Sequence, residues 1–261
     1  MDRHLVFLFI SFCFLAIGCN QKAKETPVAP ETRDLRLMTY NIRNGRGMDD
    51  SLSIARTAAV INRVAPEAVA IQELDSMTAR SGQTYVLGEL AKLTDMQAYF
   101  APAIDFDGGK YGIGMLCRET PVRVKALPLP GREEARALLM VEFKDYVYVC
   151  THLSLTEEDR LSSLEILKQL GGETEKPLFI AGDWNDTPSS PFMQAMGEAF
   201  TLLSDTAAHT FPASEPRETI DYIAVLKAWA GKVSSQKAEV VNAPVESDHR
   251  PIVVEVSIPN P

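Results

Sequence analysis

Short β-rich runs alternate with amphipathic helical stretches through this sequence, and their order limits the folds available to the chain. Apolar or alternating runs bounded by turn residues predict strands, whereas apolar residues at helical spacing predict helices. Strand-like runs follow one another in the middle of the chain, and helices alternate with strands at both ends. This order predicts an α/β (α+β) sandwich of two mixed β-sheets flanked by helices. The predicted strands are 35–42, 68–72, 97–101, 112–117, 122–127, 137–143, 146–151, 177–181, 220–226, 232–240 and 251–258, and the predicted helices are 52–64, 84–93, 161–170 and 191–198.

The N-terminus has the pattern of an export signal. Residues 1–18 begin with basic side chains and continue with an apolar stretch too short to span a bilayer. The stretch ends in LAIGC, which resembles the lipobox of bacterial lipoproteins, with Ala16 where Leu is usual three residues before the cysteine. We therefore predict an exported protein, anchored on the periplasmic or cell-surface side of a bacterial membrane through lipidated Cys19. Plain secretion is the alternative.

A tether and a single folded domain follow this signal. Residues 19–33 contain two prolines and no cluster of large apolar side chains, so we predict a flexible tether there and a folded domain over 34–261. Cys117 and Cys150 lie inside apolar runs, where cysteine behaves as a small buried hydrophobe, and the sequence leaves open whether they pair.

The charge of the chain is informative about its partners. The net charge is −9, and the folded part contains no run rich in Lys or Arg. Nonspecific nucleic-acid binders usually carry a basic stripe that displaces counterions from phosphates. The composition therefore disfavours a polynucleotide substrate.

Polar residues recur where the predicted strands end or begin. Each one alone has a structural explanation: a turn residue, a helix-capping acid, a core histidine, a carboxylate paired with an arginine or an Asx turn. The segment AGDWNDTPSS, for example, is ordinary turn chemistry by itself. Together they indicate a site, because ligand sites in layered sheets collect at one end of the strands. These residues are Asn41, Glu73, His152, Asp183, Asp221, Asp248 and His249.

This set of side chains suits metal-assisted chemistry on a phosphoester. Mg²⁺ or Mn²⁺ takes oxygen ligands from Glu, Asp and Asn and binds substrate phosphate as a further partner. Carboxylates can deprotonate water, and imidazoles can contact phosphate oxygens.

Seven motifs, in this order, carry a resemblance to a known family: YNIRNG, QELD, YGIGMLCR, THLS, GDWNDTP, IDYI and SDHRP. The sequence resembles the endonuclease/exonuclease/phosphatase superfamily over residues 35–256. The resemblance implies the pancreatic deoxyribonuclease fold, a four-layer α/β sandwich. Members of the superfamily include nucleases, sphingomyelinases and inositol-polyphosphate phosphatases, so the fold leaves the substrate open.

The resemblance also implies a role for each polar residue. Glu73 is expected to be the principal metal ligand, with Asn41 beside it and Asp248 near a second metal position. Asp183 is expected to position and deprotonate the attacking water, and Asn185 to hold the phosphate or that water. The remaining expected phosphate contacts are His249, oriented by Asp221, together with His152 and Arg136.

Several of these implications are weaker. Arg136 has the alternative of an exposed strand arginine, and Asp75 and Tyr111 match the family less clearly. Trp184 stands where the family usually has Phe and is expected to affect packing below the site. Asp186 and Thr187 are assigned to the turn.

The substrate is expected to be a small phosphodiester or phosphomonoester, with a lipid head group as one candidate. The longest predicted loops, 74–83 and 205–219, are not strongly basic, and His209 in the second is expected to lie on the surface, with a substrate contact as the alternative. The alternatives are a secreted nuclease acting on DNA or RNA and a noncatalytic binding lipoprotein on the same fold. We expect a monomer.

Overall fold

Two six-stranded sheets and four helices make up the fold of the computed structural model, which describes Met1 and residues 32–260. All of these elements belong to a unit that runs from Glu31 to Pro261. The strands are β1 (Thr32–Asn41), β2 (Ala68–Ser76), β3 (Gln97–Phe106), β4 (Gly109–Cys117), β5 (Arg123–Leu129), β6 (Arg136–Glu142), β7 (Val147–His152), β8 (Leu178–Asp183), β9 (Phe200–Leu202), β10 (Asp221–Leu226), β11 (Ser234–Val240) and β12 (Ile252–Pro259). The helices are α1 (Ile54–Val64), α2 (Val86–Thr94), α3 (Glu157–Gly172) and α4 (Pro191–Ala199), and 3₁₀ turns lie at Arg43–Gly45 and Lys227–Trp229.

The two sheets have related topologies. The first has the strand order β11-β12-β1-β2-β4-β3, and the second has the order β5-β6-β7-β8-β10-β9. Each sheet contains one parallel pair at its centre, β1 with β2 and β7 with β8, and its other neighbours are antiparallel. The predicted fold class, two mixed sheets flanked by helices, is therefore confirmed.

Three apolar clusters hold the layers together. One lies between the sheets and contains Leu37, Tyr148 and Phe179; a second packs α3 and α4 on the outer face of the second sheet; a third packs α1 and α2 on the first sheet. Cys117 and Cys150 are both buried free thiols, so these two cysteines do not pair.

The strand β1 corrects the predicted tether. Thr32 and Arg33 pair with the end of β12, and Arg33 also forms a 2.8 Å ion pair with Asp145, which precedes β7. The prediction that the tether extends to residue 33 is therefore wrong by two residues, because backbone pairing with a distant strand orders a polar segment. The predicted signal, the lipidated Cys19 and the rest of the tether lie outside the described residues. No helix among the described residues is long and apolar enough to span a membrane.

The parallel strands explain why a site can form. The central strands β1, β7 and β8 end at the same end of the sandwich, and β10 begins there, with Asp221 opposite Asp183 in the antiparallel register. In β2, an irregularity in the pairing with β4 lies between Ile71 and Leu74, and Glu73 at this bulge has a φ of 59°. Bulges re-aim side chains next to active sites, so the local backbone turns this carboxylate to the site at the strand ends.

Gly182 is required for the approach of β8 to β7. Its φ is +154°, and a Cβ at this position would lie 2.0 Å from the carbonyl oxygen of Thr151. We expect Gly182→Ala to lower the free energy of unfolding by about 1–3 kcal/mol and to reduce activity, because the adjacent Asp183 must shift.

Urea unfolding and an activity assay would measure both effects. Gly172→Ala is the matched control, since Gly172 ends α3 and a methyl group added there would meet nothing within 4 Å. This control should change stability by no more than about 1 kcal/mol. Equal stability of the two variants would contradict the steric argument.

Candidate active site

Side chains from both sheets converge on one open cleft with a volume of about 540 Å³. Asn41 and Asp221 support the cleft from behind its lining through hydrogen bonds to Asp183 and His249. The cleft brings together the polar residues that the sequence singles out. Its lining is Glu73, Tyr111, Glu134, Arg136, His152, Leu155, Asp183, Asn185, Asp186, Thr187, Phe211, Glu218, Ile220, Asp248 and His249.

Asp183 lies at the centre of these groups. Its side chain is 2 % exposed, and its Oδ2 atom accepts a 3.0 Å hydrogen bond from Asn41 Nδ2. The Nε2 atoms of His152 and His249 lie 3.6 and 3.7 Å from the same oxygen, and the Asn185 backbone N–H donates to Oδ1 at 2.9 Å. A carboxylate held in this way can accept a proton from a water molecule that reaches the cleft.

The two histidines have opposite charge preferences. Burial lowers the pKa of His152 to about 4, so its imidazole is neutral at pH 7. Burial also lowers the pKa of His249, but Asp221 and Asp183 outweigh it and raise the value to about 10. The 2.9 Å hydrogen bond from Nδ1 of His249 to Asp221 keeps the ring charged and fixes its orientation. His249 can therefore stabilise negative charge, while His152 acts as a neutral hydrogen-bonding group.

Glu73 and Asn41 form the side of the site that can hold a cation. Asn41 Nδ2 donates 3.0 Å hydrogen bonds both to Glu73 Oε1 and to Asp183, so the amide bridges two carboxylates. Burial raises the pKa of Glu73, and the hydrogen bond from Asn41 opposes this shift. Within residues 32–260, no Lys or Arg forms an ion pair with Glu73. A carboxylate desolvated in this way, without a protein cation, is the donor that a hard metal ion prefers.

Asp248 lies on the same side of the site but is held less firmly by its neighbours. It is half-buried, lines the cleft, and its Oδ2 atom is 3.8 Å from Nε of Arg43. The tightest group of potential ligands in the described chain is a different one, Asp183, Asp221 and His249, whose ligand atoms lie within 4.8 Å of one another. We interpret that group as a hydrogen-bonded charge cluster, because the Nδ1 atom of His249 is already bonded to Asp221.

Comparison with known proteins identifies the family to which this site belongs. Residues 38–249 match the sequence profile described as Endonuclease/Exonuclease/phosphatase family. The chain is a member of this family. No curated protein sequence matches the chain at a significant level.

Solved structures show the same fold at low sequence identity. An endonuclease/exonuclease/phosphatase from Bacteroides vulgatus has 21 % identity and a TM-score of 0.70, with 87 % of this chain and 99 % of that chain covered. One from Beutenbergia cavernae has 22 % identity and a TM-score of 0.69, with coverage of 87 % and 72 %. A mannosyl-6-phosphatase from Bacteroides thetaiotaomicron has 17 % identity and a TM-score of 0.66, with coverage of 85 % and 99 %.

The sequence of this endonuclease/exonuclease/phosphatase family member leaves two interpretations of Arg136, a phosphate contact and an exposed strand arginine. The structure decides between them. Its side chain is 7 % exposed and lines the cleft, so the alternative of an exposed strand arginine is wrong. Its NH1 and NH2 atoms lie 3.2 Å from Glu134 and 3.6 Å from Glu133. The guanidinium is therefore held between two carboxylates at the edge of the site.

The loop after β8 is anchored to neighbouring elements. Asn185 has a φ of 51°, and its Nδ2 donates a 2.9 Å hydrogen bond to the carbonyl of Leu153. Asp186 forms a 2.8 Å ion pair with the buried Arg160 of α3, a partner that the sequence does not predict because the two residues are not neighbours in any local pattern. These bonds fix the position of Asn185 and its side-chain oxygen at the cleft.

Trp184 packs beneath the site, as predicted. It is fully buried, and its ring lies 4.9 Å from that of Tyr222 and 6.4 Å from that of Phe192. His209, predicted at the surface, is exposed and contacts Thr219 at 3.2 Å. It does not line the cleft, so the structure places it outside the site.

Besides Asp186 and Thr187, which were assigned to the turn, five cleft residues were not identified as site residues from the sequence: Glu134, Leu155, Phe211, Glu218 and Ile220. The Phe211 ring packs against His249 at an interplanar angle of 47° with ring centroids 4.8 Å apart, and Leu155 is exposed at the cleft. Glu134 and Glu218 contribute carboxylates. The two acids lie in loops between strands, where a charged residue is the default choice, so no sequence pattern distinguishes them from solvent-exposed acids.

Proposed function

We propose that this protein is a divalent-metal-dependent phosphoesterase that hydrolyses a small phosphodiester or phosphomonoester. The family consists of hydrolases that act on phosphoesters, and the metal requirement and the substrate size are the proposal. The observation that carries it is the position of Asp183 between two imidazoles and close to Glu73, a half-buried carboxylate that forms no ion pair with a described Lys or Arg. That combination supplies a base for water, contacts for a phosphate and a ligand for a metal.

The donor set fits Mg²⁺ or Mn²⁺. Glu73 and Asp248 offer carboxylate oxygens, and Asn41, whose Nδ2 donates to Glu73, would offer its Oδ1 oxygen. A metal bound there would neutralise phosphate charge and polarise the ester. Glu73 forms no ion pair with a described Lys or Arg, so its charge is available to such a cation.

The reaction then follows from the residues of the chain. Asp183 accepts a proton from water, which attacks the phosphorus in line with the leaving oxygen. Asn185 and Arg136 hold the phosphate, and neutral His152 donates or accepts a hydrogen bond on one side. Charged His249, held by Asp221, stabilises the negative charge that develops on the leaving oxygen.

The small size of the substrate is supported by the charge of the cleft. Arg136 is the one Lys or Arg among the described residues that line it, and a nucleic-acid strand needs several cations along its backbone. The nuclease alternative is therefore less favoured. Export and lipid anchoring through Cys19 are part of the proposal and rest on the sequence of the N-terminus.

Hydrolysis of p-nitrophenyl phosphate and bis-p-nitrophenyl phosphate by the purified full-length protein would test the function. Turnover with Mg²⁺ or Mn²⁺ that is lost with a chelator would support the proposal and show whether monoesters or diesters are preferred. A folded protein that hydrolyses neither ester with either metal would contradict it and favour the binding-lipoprotein alternative. Cleavage of plasmid DNA or RNA with a steep salt dependence would favour the nuclease.

Replacing Glu73 by Gln should weaken the metal site. The amide keeps the shape but removes the charge, so we expect the Mn²⁺ concentration for half-maximal activity to rise by about 10–100-fold. Manganese binding measured by electron paramagnetic resonance would report the same loss without relying on turnover. Glu89→Gln, on the exposed surface of α2, is the control and should leave both values unchanged. An unchanged metal requirement in Glu73→Gln would exclude Glu73 as the principal ligand.

A further inference from the structure

The cleft carries far more negative charge than a phosphate site needs. Six carboxylates line it, Glu73, Glu134, Asp183, Asp186, Glu218 and Asp248, against two cations, the Arg136 guanidinium and the His249 imidazole. Asp183, Asp248 and Glu73 belong to the catalytic and metal side, and Asp186 is neutralised by Arg160. Glu134 and Glu218 remain, and neither is needed for the hydrolysis itself.

Arg136 and Glu134 lie in contact in the lining of the cleft, and Glu218 lines the same cleft. Arg136 is more than nine-tenths buried, its Nε has no hydrogen-bond partner, and Glu134 lies 3.2 Å from NH1. Because Arg136 already has a carboxylate on each side, this part of the cleft offers no uncompensated positive charge to a second phosphate.

Glu218 is held in place by its backbone while its side chain is free. Its N–H donates to Phe211 O at 2.9 Å, and Phe211 N–H donates to Glu218 O at 3.0 Å, which makes a small antiparallel bridge. In the described part of the chain, its exposed carboxylate has no hydrogen-bond or ion-pair partner. An unpaired carboxylate at the cleft repels a second phosphate and accepts hydrogen bonds from hydroxyl groups.

We propose that the esterified alcohol of the substrate is an uncharged polyhydroxylated group, such as a sugar or polyol, recognised by Glu218 and Glu134. This inference rests on the proposed phosphoesterase function and narrows its substrate. The two carboxylates accept hydrogen bonds from hydroxyl groups, and Phe211 and Leu155 offer apolar surface to the carbon-bound faces of the alcohol. The same carboxylates exclude esters with a second phosphate.

Phosphate release from three esters separates this proposal from its alternatives. The probes are glucose 6-phosphate, fructose 1,6-bisphosphate and phosphocholine, with p-nitrophenyl phosphate as the measure of the underlying function. We expect the highest kcat/KM among the three for glucose 6-phosphate. In Glu218→Gln, we expect KM for glucose 6-phosphate to rise about tenfold and the discrimination against the bisphosphate to shrink.

Glu215→Gln is the matched control, because Glu215 lies in the same loop, is exposed, and pairs with Arg217 away from the cleft. It should leave every kinetic constant unchanged. Hydrolysis of p-nitrophenyl phosphate together with a preference for phosphocholine or the bisphosphate would overturn this inference while the proposed function stands. Equal kinetic constants for Glu218→Gln and Glu215→Gln would also overturn this inference while the proposed function stands. No hydrolysis of any ester with either metal would overturn both.

Discussion

Asp183→Asn is expected to lower kcat for phosphoester hydrolysis by about 10⁴-fold, the upper end of the contribution of a general base. The amide has nearly the same shape as the carboxylate and can keep the contact with the backbone N–H of Asn185. It cannot accept a proton from water, so the chemical step is lost while the architecture of the cleft remains. Single-turnover hydrolysis of p-nitrophenyl phosphate at saturating Mn²⁺ would measure this loss.

The stability of this variant separates chemistry from folding. Removing the charge of Asp183 relieves repulsion from Glu73 and Asp221 but also removes attraction to charged His249, so the melting temperature is measured to show that the variant remains folded. Asp205→Asn is a control for the substitution itself, since Asp205 is exposed and bonds only within its own loop. Wild-type turnover in a folded Asp183→Asn protein would remove Asp183 from the role of base.

Arg80→Met is expected to lower the free energy of unfolding by about 3 kcal/mol. Asp75 is fully buried, and Arg80 donates to both of its oxygens at 2.7 and 2.8 Å. The arginine also lies over the rings of Phe106 and Tyr111. Its loss leaves a buried carboxylate with Thr78 as its remaining hydrogen-bond donor. This loss is at the lower end of what removing one partner of a buried ion pair usually costs, because the Arg80 side chain is 34 % exposed.

A double variant tests the cause of this effect. Adding Asp75→Asn to Arg80→Met removes the uncompensated charge, so most of the lost stability should return. Urea unfolding of the wild type, both single variants and the double variant completes the cycle. If the two single effects simply add, the buried charge does not explain the cost. Arg217→Met, which removes an exposed pair with Glu215, should change stability by less than about 1 kcal/mol.

The positions of most strands and helices could be predicted from the sequence, because they depend on local periodicity. The errors fall where local pattern is too short or misleading. The strand β9 was missed, since the three residues Phe200–Leu202 are too few to show an alternation. The start of β1 at Thr32 was missed, since a polar segment is ordered there by pairing with β12.

The candidate site could also be predicted from the sequence only in part. Asn41, His152 and Asp183 could be singled out because each ends an apolar strand, and the structure brings all three together. The pairing of Asp221 with an arginine, one of the alternatives left open, is wrong, because its partner is His249 at 2.9 Å. Sequence alone could not decide this, since any buried cation can satisfy a buried carboxylate.

The sequence by itself determined the order of the elements and which polar residues stand at the strand ends, because both follow from short-range pattern. Only the tertiary structure decided how far apart their atoms are and which of them carry charge. The contact of Asn41 with Asp183 joins residues 142 positions apart, across the two sheets. The opposite charge preferences of His152 and His249, and the free carboxylate of Glu218 at the cleft, arise from burial and neighbours that exist once the sheets have packed.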